Sequence, residues 1–207
     1  MAMSIPNRVV VFDYGEVISR SQSDDDKAAL VAASGQPADV FWPAYWQHRD
    51  LLDHGRLSII EYWRRVAADL GTTWDLTTIQ QLWALDFRGW ISVEPETVRL
   101  LEELHDGGTR MALLSNAGFD FGDPFRYAPF GTLFERVFVS AELGLLKPDA
   151  EVYRHIAREL GIELEQMVFI DNKAINVDGA TALGVTGHVF TDASGLREFL
   201  VSLTQES

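Results

Sequence analysis

Four short stretches place reactive side chains directly after, or close behind, apolar runs. RVVVF at 8–12 leads into Asp13, and RMALL at 110–114 leads into Ser115 and Asn116. VFI at 168–170 leads into Asp171 and Asn172, and Leu145-Leu146 precedes Lys147 and Pro148. A carboxylate can act as a nucleophile or a hard metal ligand. A hydroxyl and an amide supply hydrogen bonds, and a lysine supplies fixed positive charge where negative charge gathers. Together they suit chemistry on an anionic, oxygen-rich group. Each residue taken alone has a plainer reading as a turn, a helix cap or a solvated loop side chain.

The elements that must position them follow from the apolar pattern. Short apolar runs of strand length occur at 8–12, 110–114, 137–140, 167–170 and 186–190. Between the later runs lie helical patterns at 150–160, 174–183 and 194–203, the first two closed by Gly161 and Gly184. Strand–helix alternation implies right-handed crossovers, and so an α/β fold with a Rossmann-like parallel sheet and helices on both faces. In such a sheet, ligands bind beyond the carboxyl ends of the strands, where the four reactive stretches fall. Residues from about 24 to 107 read instead as consecutive helices, with an aromatic face at Phe41, Trp42, Tyr45 and Trp46. Asp24-Asp25-Asp26 reads as a helix N-terminus suited to the helix dipole. The expected organisation is a core of residues 1–18 and 93–207, interrupted by a helical-bundle cap at 19–92.

Composition narrows the partners. The 207 residues carry a formal net charge of -14, opposite in sign to what phosphate-backbone binding needs, so no nucleic acid partner is expected. The same charge, and the lack of any apolar run near the ~18 residues of a spanning helix, point away from membranes. There is no cysteine, which excludes disulfides, thiolate zinc sites and thiol nucleophiles. MAMSIPNR lacks the apolar stretch of a secretory leader, so the expected location is cytoplasmic. A monomer or homodimer fits equally well.

The stretches VVFDYGEVIS, LLSNAG, GLLKPDAEVY and VFIDNKAINVDGA, in that order, resemble the four motifs of the haloacid-dehalogenase-like (HAD) superfamily. The helical insertion resembles the small cap of a branch, similar to sugar-phosphate phosphatases, whose first motif reads Asp-x-Gly-x-Val. The resemblance implies a phosphohydrolase acting on a small phosphorylated metabolite, with Mg2+ as cofactor. It implies that Asp13 attacks phosphorus to form an aspartyl-phosphate. Ser115 and the amide of Asn116 would bind phosphoryl oxygens, and Lys147 would balance charge between nucleophile and phosphate. Asp13, the Gly15 carbonyl, Asp171 and Asn172 would form the metal site, and Asp178 is a candidate supporting acid. In the cap, His48, Arg49, His54 and Arg56 are the candidate substrate contacts, together with Glu16 after the nucleophile.

Two positions depart from the family pattern. Gly15 stands where most of these phosphatases carry a second aspartate that handles the leaving-group proton. A positioned acid contributes roughly 10²–10⁴-fold, so its loss predicts a bias toward good leaving groups unless Glu16, His48 or His54 supplies the proton. Asn172 stands where a second acid is usual, which predicts weaker metal binding. Two alternatives stay open. One is a catalytically weakened relative that binds a ligand or partner; the other is a metal-free 2-haloacid dehalogenase. Against the second, Tyr14 is one residue past Asp13 rather than two, and the fourth motif begins with Asp171 rather than serine.

Overall fold

The computed structural model describes residues 2–204. Among them, five strands form one parallel sheet: β1 (Val9–Phe12), β2 (Arg110–Ser115), β3 (Arg136–Val139), β4 (Met167–Asp171) and β5 (Thr186–Val189). Their order is β3-β2-β1-β4-β5. β1 is central because its four residues are wholly buried on both faces, as a continuous run of β-branched and aromatic side chains requires. Alternate residues face opposite ways. Val10 and Phe12 pack with Leu113, Val168 and Ile170 against Leu100 and Leu104 of one helix, α6 (Pro95–Asp106), and Leu196 and Leu200 of another, α11 (Ala193–Thr204). On the other face, Val9 and Val11 pack with Ala112, Leu114 and Phe169 against Val152, Tyr153 and Ile156 of α9 (Ala150–Leu160). Helices thus cover both faces, in agreement with the strand–helix alternation. α10 (Ala174–Thr181) connects β4 to β5.

Five helices lie between β1 and α6: α1 (Asp24–Ser34), α2 (Ala38–Gln47), α3 (Arg49–Asp53), α4 (Ile59–Asp69) and α5 (Leu76–Trp90). They enclose a separate apolar cluster built on Leu30, Phe41, Tyr45, Tyr62, Trp63, Val66 and Leu82. Their starts are written in the sequence. Ser23 caps α1 ahead of the three aspartates, Ser58 and Glu61 form a reciprocal capping box on α4, and Asp75 caps α5. The two chain segments joining this block to the sheet run antiparallel, with a bridge between Ser19 and Val93. Arg20 N donates to Ser92 O, and Glu94 N to Ile18 O, each at 2.8 Å.

Some elements differ from the apolar pattern. Ser140 ends the expected third strand but instead opens a one-turn helix, α8 (Ser140–Leu143), with its hydroxyl buried. Residues 119–133 form three short helical turns, including α7 (Gly122–Tyr127), that the pattern does not announce. Such turns are too short to show a period, and Phe121, Phe125 and Phe130 form them by packing on the core. Among the described residues no helix is long and apolar enough to cross a membrane.

Candidate active site

The register of the sheet brings the reactive residues to one level. Phe12 pairs with Leu113 on one side and Ile170 on the other, so Asp13, Ser115 and Asp171 emerge together at the carboxyl edge. β1 is also where the strand order reverses direction, the place where parallel sheets open a crevice. A cavity of ≈ 230 Å³ lies there, bounded below by Asp13, Ser115, Asn116 and Lys147 and above by Trp46, Arg49 and Asp53 of the helical block.

Lys147 is the electrostatic centre. Its side chain is 1% exposed, and Nζ lies 2.7 Å from Asp13 Oδ1, 2.7 Å from Asp171 Oδ2 and 3.1 Å from the Leu114 carbonyl. Burial opposes its charge, but the two carboxylates outweigh burial and hold its pKa above the ordinary value. Asp13 Oδ1 also accepts the Tyr14 main-chain N–H at 2.7 Å. Burial pushes the Asp13 carboxyl up to about 6, against the pull of Lys147 and with the push of Asp171.

Asp171 does not sit where a metal ligand was expected. It is fully buried and lies outside the cavity lining. Oδ2 accepts from Lys147 Nζ and, at 2.9 Å, from Asn176 Nδ2; Oδ1 accepts the Lys173 main-chain N–H at 2.8 Å. The supporting role expected of Asp178 falls instead to Asn176, since Asp178 is exposed on α10. The next residue, Asn172, takes the cavity side. Its Nδ2 donates to Glu16 Oε2 at 2.8 Å, while its Oδ1 is buried without a hydrogen-bond partner. Glu16 stands in the left-handed backbone region at φ 58. Its other oxygen accepts from Ser21 Oγ at 2.7 Å. Glu16 therefore lines the cavity as the group that orients Asn172.

A divalent cation fits these donors. Asp13 offers a carboxylate, Asn172 a buried amide oxygen with no other partner, and Gly15 a main-chain carbonyl beside them. All are oxygen atoms, as a hard cation such as Mg2+ requires. Asn116 differs from expectation in a smaller way. Its side chain pairs with the Lys147 main chain, Nδ2 donating to O and Oδ1 accepting from N, each at 3.0 Å. The amide that Asn116 can present to a ligand is therefore its main-chain N–H.

The helical block contributes a buried charge cluster. Arg49 is 11% exposed; Nη1 lies 2.9 Å from Asp86 Oδ2, and Nε lies 3.2 Å from Asp53 Oδ1. Tyr45 OH donates to Asp86 Oδ1 at 2.7 Å and accepts from Arg49 at 2.8 Å. The Arg49–Asp53 pair is close but not aligned for a hydrogen bond, so Asp53 Oδ1 is buried without one. Among the expected contacts only Arg49 and Glu16 reach the cavity. His48 pairs with Asp69 at 2.7 Å, and His54 and Arg56 lie near one another, all outside the lining. Sequence reasoning missed Asp53, Trp46, Trp90 and Lys173, which line the cavity. The four-residue spacing of Arg49 and Asp53 was the available signal.

The model of the haloacid dehalogenase-like hydrolases matches residues 8–184. The chain belongs to that family. As a HAD-like hydrolase it is 30% identical, over 106 residues, to a sesquiterpene phosphatase of Aspergillus oryzae. That match covers 51% of this chain and 54% of the relative, so the chain spans about half the relative's length. Among solved structures, a HAD family enzyme of Bacteroides thetaiotaomicron, crystallised with magnesium and inorganic phosphate, superposes with a TM-score of 0.71 at 20% identity, covering 91% of this chain and 98% of that one. A 2-haloacid dehalogenase of Pseudomonas syringae pv. Tomato superposes with 0.65 at 18% identity over 94% and 98%. These two likenesses concern the fold, which both kinds of HAD-like hydrolase share.

Proposed function

We propose that this hydrolase is a phosphohydrolase, acting on a small phosphorylated metabolite through an aspartyl-phosphate at Asp13. The observation that carries the reading is Lys147 held 2.7 Å from both Asp13 and Asp171 in a buried cleft whose remaining free ligand oxygen belongs to Asn172. A phosphoryl group approaching Asp13 brings negative charge against a carboxylate, and Lys147 offsets it without reorganisation. Ser115 and the main-chain N–H of Asn116 are at the strand end to bind the equatorial oxygens. Asp13, Gly15 and Asn172 would hold Mg2+, which when bound supplies further charge neutralisation. Residues 19–92 act as the cap: they roof the cavity and set the substrate. At ≈ 230 Å³ the space is below the range typical of drug-sized ligands, which fits a phosphate on a small alcohol. The relative named as a phosphatase, and the related fold holding magnesium and phosphate, support the same reading.

The test is phosphate release from a panel of phosphate esters, with Mg2+ and with chelator, by the wild type and Asp13→Asn. Release that requires both Mg2+ and Asp13 is expected. Activity that survives loss of Asp13 overturns the mechanism. Chloride release from a 2-haloacid, indifferent to chelator, establishes the dehalogenase reading instead.

A further inference from the structure

Expelling an alkoxide requires a proton, because an alcohol is about as weak an acid as water and its unprotonated oxygen is a poor leaving group at neutral pH. Beside the nucleophile nothing supplies one. Gly15 has no side chain, and a Cβ built there meets nothing within 4 Å. Glu16 spends its two oxygens on Ser21 and Asn172. The Tyr14 hydroxyl donates to the Trp90 carbonyl at 2.9 Å, and Lys147 is locked between two carboxylates. His48 and His54 lie outside the cavity. Besides Asp13 and Glu16, Asp53 is the carboxylate that lines it among the described residues.

Asp53 is held in that position from the core. Its carbonyl accepts from the Ser140 hydroxyl at 2.5 Å, and the same oxygen of Ser140 accepts the Ala117 N–H at 2.9 Å, two residues beyond Ser115. Two residues on, Gly55 lies so close to the core that a Cβ there would stand 2.5 Å from the Ala141 carbonyl. Asp53 therefore belongs to the roof in sequence, but its main chain is anchored to the floor. Its Oδ1 is buried and has no hydrogen bond of its own.

Building on the phosphohydrolase reading, we propose that Asp53 is the catalytic proton donor and acceptor of this enzyme, acting from the cap across the cavity from Asp13. In the first half-reaction an Asp13 oxygen bonds to phosphorus and the bond from phosphorus to the ester oxygen breaks. The electron pair goes to that oxygen, which takes the Asp53 proton and leaves as the alcohol. In the second, the Asp53 carboxylate takes a proton from water as the water oxygen bonds to phosphorus. The bond from phosphorus to Asp13 breaks and its pair returns to the carboxylate. Phosphate leaves, and Asp53 is again protonated.

The surroundings of Asp53 suit the cycle. It is faced by Arg49 and Asp50 on its own helix, by Asp86 on α5 and by Asp120 beyond β2. Burial pushes its carboxyl up, Arg49 pulls it down and the three acids push it up again, to about 7, so both protonation states are reached near neutrality.

The experiment compares an alkyl phosphate, glycerol phosphate, with p-nitrophenyl phosphate, whose leaving group needs no proton. In Asp53→Asn, kcat/KM for the alkyl ester is expected to fall about 100-fold or more, and that for the aryl ester to stay within a few-fold. p-Nitrophenol should then appear in a burst of about one per enzyme as the Asp13 phosphoenzyme accumulates. Adding Gly15→Asp to Asp53→Asn should restore alkyl ester cleavage from the open side. In the wild type, kcat/KM should decline above about pH 7 for the alkyl ester alone. Equal losses on both esters, or none, overturn the proposal, as does a wild-type alkaline decline shared by both esters. If the wild type releases phosphate from neither ester, the failure lies with the phosphohydrolase reading.

Discussion

The ammonium of Lys147 lies 2.7 Å from the carboxylate of Asp171, and both side chains are withdrawn from solvent. That contact separates the proposed roles of Asp171, the last residue of β4, and Asn172, the next. Successive side chains leaving a strand point to opposite sides. The acid turns inward to the lysine, and the amide of Asn172 turns to the cavity with an oxygen to spare.

Replacing Lys147 with methionine is expected to be costly for this reason. Asp13 and Asp171 would face one another in a buried site with no cation between them. Breaking a buried pair of this kind costs about 3–5 kcal/mol. Urea unfolding at pH 7 should show a loss of that order, with phosphate release abolished.

Asp171, the last residue of β4, and Asn172, the next, should separate in a titration with Mg2+. Asn172→Asp adds a charge to the metal face and should tighten Mg2+ by about tenfold, or ~1.4 kcal/mol. Asp171→Asn alters a residue whose oxygens are engaged by Lys147, Asn176 and the Lys173 N–H. It should leave Mg2+ affinity within a few-fold while lowering turnover. Calorimetric titration of both variants checks the assignment, and a large loss of Mg2+ affinity in Asp171→Asn would return that residue to the metal site.

Stability should carry the mark of Asp53. Its folded pKa, about 7, lies above the ordinary 3.8. The folded state therefore holds a proton that the unfolded chain releases, and the stabilisation is full below about pH 4 and lost as pH rises through about 7. Asp53→Asn, which stays neutral, should match the wild type near pH 4 and exceed it at pH 8 by on the order of a few kcal/mol. Denaturant unfolding at the two pH values measures the difference; parallel curves would show that Asp53 is not perturbed.

Removing the hydroxyl in Ser140→Ala should loosen residues 49–55 of the helical block. The Asp53 carbonyl and the Ala117 N–H would each lose a partner inside the protein. A buried group left unpaired costs about 1–3 kcal/mol. Amide exchange should accelerate across residues 49–55 more than in the sheet. No selective change there would mean that Ser140 does not anchor that segment.

The fold was legible because its signals are local. VVVF at 9–12 and the helical pattern of 150–160 each show their own period, and their alternation implies the parallel sheet. That Asp13 and Ser115 line one cavity was legible because each stands at a strand end, where the sheet itself opens a crevice. The surroundings of Asp171 and Asn172 were not, since they differ by which side of the chain each faces.

In the helical block the sequence was a poor guide to contacts. His48 and His54 have the more suggestive chemistry, yet His48 pairs with Asp69 on α4, and neither lines the cavity. Asp53, spaced four residues from Arg49, looks like half of a surface ion pair. Its setting comes from Asp86 on α5, which faces it electrostatically, from Ser140 beyond β3 and from the close approach of Gly55 to Ala141, 33 to 87 residues away in the chain. The sequence by itself determined the sheet, the strand-end residues and the absence of an acid beside Asp13. Only the tertiary structure decided that Asp53 of the helical block lines the cavity, because burial and long-range packing, unlike periodicity, are properties of segments brought together.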